Sequence, residues 1–297
     1  MATGRFAPSP SGPLHLGSLR TAMVAWLFAR SSGGGFLMRI EDLNPATASP
    51  EHERVLLADL IALGVDWDGP VVRQSERRAV HDAAVAELVA MGRTYPCFCS
   101  RREIRESAAA PHEMLALYPG TCRDLTPDEV QARVDSGRPA ALRLRTAGEV
   151  VTIEDRLRGQ VTAPVDDIVL RRNDGVPAYH VAVIVDDDDQ GVDEVVRGDD
   201  LLPVTPSQAH LLDLLGRRRP GWAHVSLAVG TDGIRLAKRH GSVTMAELAG
   251  QGVGPDAVRN RLAVSLGLAE PGEPTTMSLL LERFDPDRLP TEPWVVT

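Results

Sequence analysis

Apolar positions along the chain change their spacing in a way that separates strands from helices. A short extended run at 5–8 gives way to a Pro/Gly loop at 9–14. Over 16–31, Leu19, Met23, Trp26 and Leu27 recur at three- and four-residue steps and share one helical face. Ser31-Ser32-Gly33-Gly34-Gly35 stops that helix, and 36–40 reads as a second strand that ends on Glu41-Asp42. Strand, loop, helix and strand in succession make a βαβ unit, which predicts a parallel sheet and an α/β fold. Two further amphipathic helices are predicted at 50–63 and 77–91.

Beyond them the pattern changes. The stretch 95–123 holds all three cysteines and few periodic apolar residues. The runs 140–145, 151–155 and 168–172 read as short strands of an inserted subdomain. Helix–strand alternation resumes near Pro177, with a strand at 194–197, a helix at 206–215 and a strand at 223–229. Short helices to about Leu268 and a Pro/Glu-rich tail follow. The expected organisation is therefore a catalytic domain in two halves, 1–94 and 173–230, an insertion at 95–172, and a helical region at 231–297. The run Asp186-Asp187-Asp188-Asp189 is read as a solvated helix end rather than a metal site.

The 297 residues are 43% apolar and 25% charged, ordinary for a globular protein. A net charge of −9 excludes a protein that coats nucleic acid through bulk positive charge. Arg101-Arg102, Arg171-Arg172 and Arg217-Arg218-Arg219 are local basic spots, read singly as solvated surface. No apolar run reaches the roughly 18 residues of a membrane span, and no apolar leader precedes Arg5, so a cytoplasmic protein is expected. Three cysteines are too few, and odd in number, for a disulfide framework.

Two distant segments carry phosphate chemistry. Arg5-Phe6-Ala7-Pro8-Ser9-Pro10-Ser11-Gly12-Pro13-Leu14-His15-Leu16-Gly17-Ser18 is a strand, a Gly/Pro loop and a helix start. Such a junction presents free backbone N–H groups and a helix dipole to an anion. Gly12 and Gly17 let a nucleotide approach closely, and His15 has a proton to donate to a phosphate oxygen. Arg235-Leu236-Ala237-Lys238-Arg239 supplies, in Lys238, a point charge suited to a leaving pyrophosphate. The P-loop pattern G-x-x-x-x-G-K-[ST] and a G-x-G-x-x-G after the first strand are both absent. Cys97-Phe98-Cys99 and Cys122 offer three of the four ligands zinc takes, with Tyr118 and His112 as rivals for the fourth. Three reduced cysteines in a small core are the alternative.

These segments carry a family resemblance. The first resembles the HIGH region of the class I glutamyl-tRNA synthetases, with His15-Leu16-Gly17-Ser18 as its signature. Arg235–239 resembles their KMSKS loop, with Ala237 and Arg239 at positions where serine is usual. Arg39-Ile40-Glu41-Asp42 and Arg197-Gly198-Asp199-Asp200-Leu201 resemble two further motifs, and the likeness runs from about Arg5 to Leu268. It implies a Rossmann-like parallel sheet, an inserted zinc-containing subdomain that binds the tRNA acceptor end, and a short helical C-terminal region.

The resemblance also implies a site. Arg5, Phe6, Ala7, Pro8, Ser9, Glu41, Tyr179 and Arg197 would bind L-glutamate. An arginine fork suits the side-chain carboxylate, Glu41 the ammonium, and the Tyr179 hydroxyl a further contact. Val183 would replace a polar contact of longer relatives. Gly12, His15, Gly17, Ser18, Arg235 and Lys238 would bind ATP with Mg²⁺, and His15 and Lys238 would be catalytic. The pattern C-x-C…Y-x-x-x-C resembles the zinc site of the short paralogues, the glutamyl-Q tRNA(Asp) synthetases, which makes Cys97, Cys99, Tyr118 and Cys122 the expected ligands of one structural Zn²⁺.

The stretch after the lysine loop is short for an anticodon-reading domain, which points to the same branch. The implied activity is activation of glutamate without tRNA, then transfer to queuosine at the wobble position of tRNA(Asp), by a monomer. Three other readings are open at this level. They are a truncated synthetase charging the 3′ end of tRNA(Glu), a non-catalytic tRNA-binding paralogue, and an adenylating ligase acting on a small amine.

Overall fold

The computed structural model describes residues 1–100, 102–104, 117–234 and 243–296. Gly4–Phe6 (β1), Phe36–Ile40 (β2) and Val72–Arg73 (β3) run parallel, in the order β1-β2-β3. On the other side of β1 lies Glu194–Gly198 (β9), and the Thr3 carbonyl accepts the backbone N–H groups of Asp193 and Glu194 at 2.8 and 3.2 Å. Gly221–Val225 (β10) pairs in parallel with β9, then with Val150–Asp155 (β6), which turns back as Gly159–Pro164 (β7). Chain order therefore reverses direction across the sheet between β1 and β9. A crevice opens at the carboxyl ends of strands at such a switch point.

Helices cover both faces. Leu16–Ser31 (α1) is buried along most of its length because it lies between β1 and β9 on one side and the C-terminal helices Pro255–Ser265 (α8) and Met277–Arg283 (α9), which follow the short Met245–Gly250 (α7), on the other. Pro50–Leu63 (α2) packs on α8. On the opposite face Arg78–Ala90 (α3), Tyr179–Asp189 (α5) and Thr205–Leu214 (α6) enclose a second apolar cluster with Ile153, Val195 and Trp222. Among the described residues no helix is long and apolar enough to cross a membrane.

The expected strand at 151–155 forms as β6, yet it joins β10 in the large sheet rather than the insertion, through the register pair Trp222–Asp155. Its alternation, with Val151, Ile153 and Asp155 inward, marks a half-buried strand but not which sheet buries it. The insertion's own sheet is antiparallel, Thr94–Cys97 (β4) against Ala141–Leu144 (β5) against Val169–Arg171 (β8), with Pro127–Asp135 (α4) beside it. The expected strand at 223–229 is broken into β10 and Ala228–Val229 (β11). The break frees the Ser226 carbonyl, which the buried Arg20 binds at 2.7 Å. Trp294–Val295 (β12) then pairs with β11, so the Pro/Glu-rich tail ends in a strand that its composition does not signal.

The acidic run is not a solvated surface throughout. Asp186 and Asp187 are buried, Asp186 by Arg77 (2.6 Å), Gln74 (2.9 Å) and His81 (2.9 Å), and Asp187 by Arg5 (3.0 Å) and Arg39 (2.7 Å). Four carboxylates at a helix C-terminus oppose its dipole. Here Arg5 of β1 and Arg39 of β2 compensate Asp187, Arg77 compensates Asp186 and Asp189, and Arg217 pairs with Asp188 and Asp189.

Asp59 of α2 behaves differently. Burial pushes its carboxyl up to about 6, and its Oδ2 has no hydrogen-bond partner. An acid with a folded pKa above its unfolded value keeps its proton longer in the native state. Its effect on stability is therefore favourable as pH falls through that window and unfavourable above it. Asp59→Asn, which mimics the protonated acid, is expected to raise Tm at pH 8 by about 2–4 °C. The gain should vanish near pH 4, and melts at the two pH values check it.

Candidate active site

A cleft of about 700 Å³ opens at the carboxyl ends of β1 and β9. Arg5, Phe6, Ala7, Pro8, Ser9, Gly12, His15, Gly17, Ser18, Glu41, Tyr179 and Arg197 all line it. The expected amino-acid and nucleotide positions that the structure describes thus share one cavity. Arg235, Ala237, Lys238 and Arg239 lie outside the described residues, as does His112. Val183 is buried and lines a separate small void with Trp222.

His15 is the N-cap of α1. Its Nδ1 accepts the Ser18 backbone N–H at 3.2 Å, which places the ring proton on Nε2. Nε2 lies 3.2 Å from Ser18 Oγ, so an anion that takes the Nε2 proton would displace this contact while the cap at Nδ1 stays in place. Gly17 is needed for the arrangement. A Cβ there would lie 3.0 Å from the Ala228 Cβ and 3.1 Å from His15 Nδ1.

The two arginines at the base of the cleft differ in charge balance. Arg5 is neutralised by Asp187, through Nε at 3.0 Å and Nη2 at 3.3 Å. Arg197 is equally buried, but its contacts are neutral: His224 Nε2 (3.1 Å), Tyr179 Oη (3.4 Å), Thr205 Oγ1 (2.9 Å) and Gln208 Oε1 (2.6 Å). Burial holds its pKa below the ordinary arginine value. A buried cation without a contacting carboxylate is costly and is suited to a ligand's carboxylate. Glu41 sits across the cleft, 3.4 Å from Arg39, and burial raises its pKa. Sequence reasoning missed Arg39, Asp187, Thr205, Gln208 and His224. Arg39 and His224 have one signal, a polar residue inside an apolar run, as in Leu37-Met38-Arg39-Ile40 and Trp222-Ala223-His224-Val225; Asp187, Thr205 and Gln208 lie in polar stretches that give none.

Away from the cleft, the Sγ atoms of Cys97, Cys99 and Cys122 lie within 4.8 Å of one another. The Tyr118 hydroxyl is 3.3 Å from Cys97 Sγ and 3.4 Å from Cys99 Sγ, and it accepts the Cys122 backbone N–H at 3.0 Å. Zinc–sulfur bonds of about 2.3 Å in a tetrahedron separate sulfurs by about 3.8 Å. The Cys99–Cys122 separation is 3.6 Å, so the donor set fits a closed four-ligand site. Tyr118 is held by Asp166, which accepts its backbone N–H at 2.8 Å, and by the Arg143 guanidinium 3.8 Å from its ring centroid.

A switch-point cleft with a capped histidine loop, buried arginines and a cysteine-bearing insertion places the chain among adenylate-forming α/β enzymes. It belongs to the class I tRNA synthetases for glutamate and glutamine, whose catalytic domain matches residues 1–294. Within that family it is 55% identical to the glutamyl-Q tRNA(Asp) synthetase of Nocardia farcinica over 294 residues, 99% of this chain and 93% of the relative. It is 45% identical to the glutamyl-Q tRNA(Asp) synthetase of Symbiobacterium thermophilum, covering 99% and 95% of the two chains. Its fold is similar to a glutamate tRNA ligase from Elizabethkingia meningosepticum, solved in complex with its amino acid. The TM-score is 0.82 at 29% identity, with 100% of this chain and 67% of that one covered.

Proposed function

We propose that the protein activates L-glutamate with ATP in the absence of tRNA and transfers the glutamyl group to queuosine at the wobble position of tRNA(Asp). The observation that carries the glutamate part is Arg197, a buried guanidinium with only neutral contacts, in the same cleft as the His15 loop. Similarity over 99% of the chain to two glutamyl-Q tRNA(Asp) synthetases supports the acceptor.

In this reading Arg197 takes the side-chain carboxylate of glutamate, with Tyr179 beside it. Glu41 takes the ammonium, and Arg5, Phe6, Ala7, Pro8 and Ser9 form the wall. An α-carboxylate oxygen then attacks the α-phosphorus of ATP in line, and pyrophosphate leaves. His15 Nε2–H, the α1 N-terminus with Gly12, Gly17 and Ser18, and the cations Arg235 and Lys238 hold the phosphates. Mg²⁺, bound with ATP, would neutralise part of their charge. In the second step a hydroxyl of the queuosine cyclopentenediol attacks the glutamyl carbonyl and AMP departs. Cys97, Cys99, Cys122 and Tyr118 would hold one Zn²⁺ that pins the insertion, which faces the tRNA. With all four positions filled by protein, that metal is structural.

Labelled glutamate and ATP with four RNA conditions test the reading: none, tRNA(Asp) with queuosine, tRNA(Asp) without it, and tRNA(Glu). Glutamate-dependent ATP–pyrophosphate exchange without RNA, and label on queuosine-containing tRNA(Asp) alone, are expected. Label on tRNA(Glu) or on unmodified tRNA(Asp) would overturn the acceptor assignment. The phosphate side has its own check. Gly17→Ala is expected to displace the His15 ring and raise the KM for ATP on the order of ten- to a hundred-fold, with the KM for glutamate little changed.

A further inference from the structure

Arg197 is held from behind by a chain of groups that starts at a strand outside the two signature motifs. Its Nε donates to His224 Nε2 at 3.1 Å, and His224 Nδ1 lies 2.5 Å from Asp155 Oδ2. Both the imidazole and the carboxylate side chains are fully buried. Arginine only donates, so His224 Nε2 must be bare. The ring proton is then on Nδ1, donated to Asp155. The Asp155 carboxylate is in turn fixed by backbone N–H groups of His224 (3.2 Å), Leu157 (3.0 Å) and Arg158 (2.9 Å). The register of the sheet sets the alignment, because His224 of β10 lies opposite Arg197 of β9.

This arrangement differs from that of Arg5 in one respect. Asp187 touches Arg5 directly and occupies its fork. Asp155 stands one imidazole away from Arg197. Its charge still favours the guanidinium, yet it leaves Nη1, whose one contact is the Tyr179 hydroxyl at 3.4 Å, with an N–H for an incoming carboxylate. We propose that Asp155 and His224 are positioning residues. Asp155 selects the Nδ1–H tautomer of His224, and His224 fixes the plane of Arg197 for the side-chain carboxylate of the amino-acid substrate.

The inference rests on the reading of Arg197 as the glutamate clamp. The charged groups facing the imidazole are Asp155 from β6, Arg197 from β9 and Arg158 from the β6–β7 turn. Burial is the largest influence on His224 and holds its pKa below the ordinary imidazole value, so the ring is neutral near pH 7. Thr205 Oγ1, 3.1 Å from Nε2, completes its surroundings.

Three variants and a tautomer measurement test it. His224→Leu removes the acceptor, and His224→Gln restores one at the Nε2 position. Asp155→Asn offers an amide N–H to Nδ1 and so favours the wrong tautomer. In glutamate-dependent ATP–pyrophosphate exchange, His224→Leu and Asp155→Asn are expected to raise the KM for glutamate about ten-fold or more, with the KM for ATP within about two-fold. His224→Gln should recover most of the loss. Nitrogen-15 shifts should report Nδ1–H for His224 in the wild type and Nε2–H in Asp155→Asn. A glutamate KM unchanged in His224→Leu, no rescue by glutamine, or Nε2–H in the wild type would each overturn the pair. Absence of glutamate-dependent exchange in the wild type would instead overturn the functional reading. It is distinguishable, because failure of the pair alone leaves exchange intact in every variant.

Discussion

Arg197→Met is expected to lose glutamate activation by about two to three orders of magnitude in kcat/KM while melting no lower than the wild type. Removing one partner of a buried, hydrogen-bonded charge pair costs about 2–5 kcal/mol, and each 1.4 kcal/mol is about ten-fold. The loss falls on the glutamate complex, where the substrate carboxylate would be left buried and unpaired. Without substrate the balance reverses. The free enzyme holds a buried guanidinium against neutral acceptors only, so an apolar side chain of similar length removes a desolvated charge, which offsets the cost of leaving His224 Nε2, Thr205 Oγ1 and Gln208 Oε1 without that donor. Thermal melts with and without glutamate, beside exchange kinetics, check both signs. A fall in Tm equal to that of Arg5→Met would show that Arg197 is structural. Arg5, neutralised by Asp187, is the contrasting case: its loss removes one of the two guanidiniums on a buried carboxylate, leaving only Arg39, and should lower Tm.

Cys122→Ala is expected to release the metal and loosen the insertion. The purified protein should carry about one equivalent of zinc, and the variant none. The local core here is small, Tyr95, Cys97, Phe98, Tyr118 and Cys122, so a bound metal would supply much of the energy that holds these segments together. Limited proteolysis should then cut within 95–172 first, while the parallel sheet stays intact. Tyr118→Phe separates the candidates for the fourth ligand. With Tyr118 as ligand, zinc affinity by chelator competition falls about ten-fold or more. Retention at wild-type affinity would assign the position to His112 or to water.

The N-terminal βαβ unit was legible because its helix and strands obey different periods and are punctuated by glycines. The helix at 50–63 was read with both ends in place, since Pro50 starts it and Gly64, in the left-handed conformation that favours glycine, ends it. The cleft residues were legible only because they fall in compact motifs. Where the chemistry depends on pairing across the fold, local pattern was silent. Asp186 and Asp187 look like solvent-facing acids, yet Arg5 and Arg39 reach them from neighbouring strands. Asp155 looks like the last residue of an insertion strand, yet it ends beneath Arg197 through His224.

Residue order alone determined the α/β alternation, the loop-to-helix junction around His15, and the spacing of Cys97, Cys99 and Cys122. These are local properties, fixed by which residues are neighbours in the chain. Tertiary structure decided how the charges are shared. Arg5 and Arg197 are both arginines near the end of a strand in the sequence. Only the packing of α5 beneath β1, and of β6 and β10 beside β9, gives one a direct carboxylate and the other an imidazole with the carboxylate behind it. A charge's availability depends on what lies within about 4 Å of it in space, and that is set by the strand order of the sheet.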